Sequence, residues 1–134
     1  RVIARTVALA PLVMATGLAI GALTQREDAS AVFVVLWASG LALSGAGIGM
    51  AWPHLSAWAM SKVDDPAEGP VAAAAINTVQ VISAAFGAAF AGVIVNLTDS
   101  GDATAARWLF ASFAVLAASA LLASIKSGRT PATR

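Results

Sequence analysis

Four long runs of uncharged, mostly apolar residues alternate with short polar stretches along this chain. The runs cover Thr6–Leu23, Ala31–Ser61, Gly69–Leu97 and Trp108–Ile125, and the breaks between them read TQREDAS, KVDDPAE and TDSGDATAAR. A helix needs about 20 apolar residues to cross a hydrocarbon core. The pattern therefore predicts an all-α membrane protein of four transmembrane helices. The polar end KSGRTPATR has no apolar periodicity and is expected to be a disordered tail.

The third run organises the rest. It carries no charge from Gly69 to Asn96, yet it places an amide pair, Asn77 and Gln80, among alanines and valines. Lipid cannot satisfy such amides, so they are expected to face protein or a water-filled cavity. The second run is longer than a bilayer requires. At 1.5 Å per residue it reaches about 45 Å against a core of about 30 Å, so it must tilt, kink or project. Pro53 removes a backbone donor and supplies the means for a kink. Small residues recur at helical spacing in Gly17 and Gly21, in Gly45, Gly49 and Pro53, and in Ala84, Ala88 and Gly92. Each set predicts a face that lets another helix approach closely.

Composition agrees with the pattern. Of 134 residues 59% are hydrophobic and 11% charged, with a mean hydropathy of +0.82. A soluble domain has about 25% charged residues, so this chain is expected to have the lipid bilayer as a partner. A net charge of +1 with no basic cluster gives no footprint for nucleic acid. Cysteine is absent and histidine occurs once, which excludes thiol chemistry and Cys-based metal sites. The first residue is Arg1 and an apolar run follows at once, which suggests a cut through a longer protein whose missing N-terminal helices would be further partners.

Basic residues orient the runs. Arg1, Arg5, Lys62, Lys126, Arg129 and Arg134 fall on the side of the two ends; Arg26 and Arg107 fall on the other. The expected arrangement is multi-pass in the plasma (inner) membrane, with both termini of the segment cytoplasmic.

Candidate chemistry is confined to the second and third runs. The first and fourth hold only scattered Ser and Thr, which can bond to their own helix, and read as peripheral. Measured from the KVDDPAE break, His54 and Asn77 lie at one depth, about 12 Å into the membrane, with Gln80 a turn deeper near Ala51 and Trp52. Asn77 and Gln80 are read either as interhelical hydrogen-bonding groups or as contacts in a substrate pathway. His54 is read first as a structural hydrogen-bonding residue and second as a proton relay. Trp52 could stack on an aromatic substrate, whereas Trp58 and Trp108 read as interfacial anchors. Gly45-x-Gly47-x-Gly49 follows no strand and is not a nucleotide loop. The Asn96-Leu97-Thr98 sequon lies at a membrane edge and is read as a chance match. No run contains Asp or Glu, and no nucleophile–base pair, paired carboxylates or metal cluster appears, so no catalytic residue, metal or cofactor is expected.

From Val63 to Val95 the residues VDDPAEGPVAAAAINTVQVISAAFGAAFAGVIV resemble the penultimate helix, and the loop before it, of major facilitator superfamily transporters. The pattern is most similar to that of drug:proton antiporters, at Pro66, Ala72, Asn77, Thr78, Ala85 and Gly87, with Gln80 one or two places from that family's Gln-rich step. GAGIGMAWPHL, Gly45 to Leu55, resembles the helix before it, and RVIAR the end of an Arg-rich loop. Ala74 and Pro70 stand where that family carries glycine. The resemblance implies the C-terminal four helices of a bundle that moves small molecules by alternating access. It implies coupling to protons, efflux of drugs or metabolites, and the second run lining a central cavity. The alternative from the residues alone is a stand-alone four-helix membrane scaffold or subunit without transport activity.

Overall fold

The computed structural model describes the backbone of residues 2–98 and 101–127, and the side chains of 9–98 and 101–122. Arg1 and the tail beyond residue 127 lie outside the described residues, as do the side chains of Arg5 and Lys126. All regular structure among the described residues is helical: α1 (Val2–Leu23), α2 (Ala31–Met60), a short 3-10 turn at Pro66–Glu68, α3 (Gly69–Asn96) and α4 (Asp102–Ser127). By length and composition α2, α3 and α4 can each cross a membrane, and α1 has an apolar stretch at Leu9–Leu23.

Local chemistry sets the helix limits. At the α2–α3 turn the Asp65 carboxylate accepts from the Ala67 N–H at 2.9 Å and starts the 3-10 turn. Pro70 then falls in the first turn of α3, where its missing N–H costs nothing. Asn96 closes α3 by donating to the Gly92 carbonyl at 2.7 Å. α4 begins at Asp102, earlier than the apolar run starting at Trp108. Its extra turn is rich in alanine and opens on an acid, both of which favour a helix start. α2 remains one helix through Pro53, and α1 through Pro11.

Packing centres on α1, against which α2 and α4 both lie antiparallel. The first run was expected at the periphery; within this chain it is the hub. Its contact with α2 is a backbone-to-backbone approach. A Cβ at Gly17 would collide with the Gly40 carbonyl and with Ser44, and one at Gly47 would lie 2.7 Å from the Met14 nitrogen. Ser44 is buried there and donates to the Met14 carbonyl across the interface at 3.4 Å. Gly21 does the same service toward α4, with the Phe110 ring seated over it. The α2 residues in this contact are thus Gly40, Ser44 and Gly47. Gly45 and Gly49, on the other side of the helix, have open space around them, as does Gly92 on α3.

The buried apolar side chains among the described residues are all alanine: Ala10, Ala22, Ala105 and Ala117. Large apolar groups point outward, including Val35, Ile48, Phe86, Val93 and Val115. Small residues inside and large ones outside is the packing of helices whose solvent is lipid.

At the end away from the α2–α3 turn, α1 and α4 exchange caps. The Glu27 carboxylate accepts from the Ala103 N–H at 3.2 Å at the start of α4, and Arg107 donates to the Gln25 carbonyl at 2.9 Å beyond the end of α1. Gly101, at φ +94°, brings the chain so close to Glu27 that a Cβ would lie 2.9 Å from its Oε1. Each charge also faces the helix end of opposite partial charge. Arg26 stacks 4.2 Å from the centre of the Phe33 ring beside this clasp.

Two outcomes are expected in thermal unfolding of the detergent-purified protein. Gly17→Ala forces α1 and α2 apart and destabilises by about 1–3 kcal/mol, the cost of overpacking. Glu27→Ala lowers the midpoint less, whereas Glu27→Gln, which keeps an acceptor oxygen, stays near the parent.

Candidate functional site

The α2–α3 turn is short, so the end of α2 and the start of α3 run side by side and antiparallel. They do not close on each other. Between them is a cleft of about 330 Å³ lined by Trp52, Leu55, Ser56 and Ala59 of α2 and by Ala75, Ile76 and Val79 of α3. The spacings of three and four place each set on one face of its helix. Small side chains at Ala59 and Ala75 leave the space, while Trp52 and Val79 bound it at the end away from the α2–α3 turn.

The lining carries no charge, and its only polar side chain besides the Trp52 indole is Ser56. The Ser56 hydroxyl is closed off from solvent and has no hydrogen-bond partner, the one such buried side-chain atom among the described residues. Several other hydroxyls bond back to their own helices. Ser39 donates to the Val35 carbonyl, Ser61 to Trp58 and Thr78 to Ala74, each within 2.8 Å. A buried orphan group of this kind calls for an explanation.

A smaller hollow of about 180 Å³ lies on the other side of Trp52 and Leu55, bounded by Ala10, Pro11 and Met14 of α1 and by Gly47 and Ala51. Trp52 and Leu55 thus stand as a partition between the two spaces.

Of the four pathway candidates, Trp52 alone lines the cleft. Residues 52–59 lie beside 75–79, so His54 and Asn77 are at similar levels, but on other faces of their helices. Asn77 and Gln80 are exposed and His54 is half-buried. None of the three makes a hydrogen bond with a described residue, so the structure does not bring them together. Asn77, Gln80, Ala84 and Ala88 lie along one exposed flank of α3. α3 has no buried residue at all, and its specific contact with α4 is an edge-on pair of rings, Phe90 and Phe113, with centroids 5.7 Å apart. Trp58 and Trp108 are well exposed, and the Lys62 ammonium sits 5.6 Å from the Trp58 ring. Leu55, Ser56, Ile76 and Val79 were not singled out from the sequence. The available signal was that Ser56 is one turn beyond Trp52 and shares its face.

No protein-family model matches the chain, and no solved structure matches it significantly. Among curated proteins it is similar to two from strains of Mycobacterium tuberculosis, each named "probable multidrug-efflux transporter". Identity to each is 57% over 127 residues, which is 95% of this chain and 27% of the relative. The chain therefore spans about a quarter of the length of the curated relatives it matches.

Proposed function

We propose that this chain forms part of a secondary active transporter of the major facilitator type, which exports small molecules by alternating access in exchange for protons. The observation that carries the reading is the likeness, along nearly the whole chain, to proteins named as multidrug-efflux transporters. The relatives are between three and four times as long as this chain. An uncharged helix with two unbonded amides and no buried residue is suited to lie against further helices, or against water between them. In this reading the α2–α3 turn and both ends of the segment face the cytoplasm, and the membrane is the plasma membrane.

Asn77 and Gln80 then serve the pathway from the open flank of α3, Trp52 bounds the substrate space, and His54 takes part in hydrogen bonding near the cytoplasmic side. The reading is tested in the intact protein in membrane vesicles. Asn77→Ala and Gln80→Leu are expected to lower export of a fluorescent substrate several-fold while membrane insertion, followed by surface labelling, stays normal. Unchanged export in both variants would remove the amides from the pathway. Proton coupling is checked separately: a protonophore should stop uphill export, and export that persists without a proton gradient would refute exchange with protons.

A further inference from the structure

Of the two arginines whose side chains are described, Arg107 is bonded to the Gln25 carbonyl, whereas Arg26 has no acceptor among the described residues. Its guanidinium lies over the Phe33 ring, which covers one face and leaves the N–H donors in the guanidinium plane free. Beside it is a hollow of about 210 Å³ between the end of α1 and the start of α2, whose walls include Thr24, Gln25, Phe33, Val34 and Trp37. Thr24 and Gln25 donate to carbonyls of α1, so Arg26 is the strong donor left to the hollow. Residues 24–30 form the polar break between the apolar stretch Leu9–Leu23 and the membrane-length α2, which puts them at headgroup level. Exposed Val34, Trp37 and Leu41 then follow at helical spacing away from that break. A guanidinium, then aromatic rings, then aliphatic groups match the order of phosphate, glycerol ester and acyl chain in a phospholipid. Glu27 and Asp28 follow Arg26 directly. Glu27 is turned to the Ala103 N–H, and Asp28 is exposed without a partner among the described residues. A second negative charge on a headgroup would be repelled there, and an ammonium would be attracted.

We propose that this hollow seats one zwitterionic glycerophospholipid. Its phosphate is held by the free edge of the Arg26 guanidinium, its ammonium lies on the acidic side of the loop at Asp28, and an acyl chain runs along Val34, Trp37 and Leu41. A further protein helix is the competing occupant. Such a helix would have to bring a carboxylate to Arg26 at headgroup level, whereas a phospholipid leaflet carries a phosphate there already. The site does not rest on what the protein transports and holds whether or not export occurs.

The test is photolabelling of the intact membrane protein in detergent, with phosphatidylethanolamine carrying a diazirine on one acyl chain, followed by mapping of the labelled peptides. The expected result is label within Val34–Leu41, displaced by unlabelled phosphatidylethanolamine and displaced less by phosphatidylglycerol with the same chains. Arg26→Gln should lower that label about threefold or more, the loss of hydrogen bonds to a charged group. Arg26→Lys, which keeps the charge without the planar fork, should fall between Arg26→Gln and the parent. Lys62→Gln, at the other end of α2, should leave the label unchanged. Label found on other exposed helix faces but absent from Val34–Leu41 would mean that protein covers the hollow, which overturns the proposal. Unchanged label in Arg26→Gln, or an equal loss in Lys62→Gln, would overturn it as well. Displacement by phosphatidylglycerol as effective as that by phosphatidylethanolamine would refute a zwitterionic occupant.

Discussion

The approach of α1 to α2 through Gly17, Gly40, Ser44 and Gly47 is the contact on which the other placements depend. With no Cβ at three of these positions the two backbones come together, and dispersion between them substitutes for a hydrophobic effect that lipid does not supply. Once α1 and α2 are fixed, Gly21 admits Phe110 and α4 docks on the remaining side of α1. The caps exchanged through Glu27 and Arg107 then hold α1 and α4 in register at one end. α3 is the least attached of the four, held by its turn and by the Phe90–Phe113 pair.

That order explains where open space occurs. The clasp draws the chain together at the end bearing residues 24–30 and 101, whereas at the opposite end α2 and α3 are joined only through their turn. Small side chains fill the α1–α2 seam because backbones meet there. The same residue type leaves a cleft between α2 and α3, at Ala59 and Ala75, because the backbones stay apart. Alanine is therefore a packing residue in one seam and a lining residue in the other, and helix separation decides which.

Helix number was legible because charge is so sparse, but the start of α4 was not: residues 102–107 read as a polar break and form its first turns. Lys62 to Glu68 could be nothing but a turn, and the structure starts α3 at Gly69. Which glycines make contact was not legible. The Gly45, Gly49 and Pro53 set and the Gly40, Ser44 and Gly47 set have similar helical spacing, and only the partner's position chooses between them. The same limit placed α1 at the periphery, since a lack of polar residues shows that a helix has nothing to hide from lipid but not how many neighbours it has. Relative level along α2 and α3 carried over, because rise per residue is fixed: residues 52–59 lie beside 75–79. Azimuth did not, so His54, Asn77 and Gln80 share levels without sharing a site.

The polar groups of this chain sort by what each can satisfy alone. A Ser or Thr hydroxyl is short enough to reach a carbonyl one turn back, as Thr16, Ser39 and Thr78 do, and a helix bearing it can face lipid at small cost. A carboxamide has two donors as well as an acceptor and cannot be satisfied by one backbone carbonyl. Asn96 and Gln25 bond back only near helix ends, where water can meet the rest of the amide. Asn77 and Gln80 sit well inside α3, exposed and without a hydrogen bond to any described residue. Ser56 is the converse case: it has the reach for self-satisfaction and does not use it.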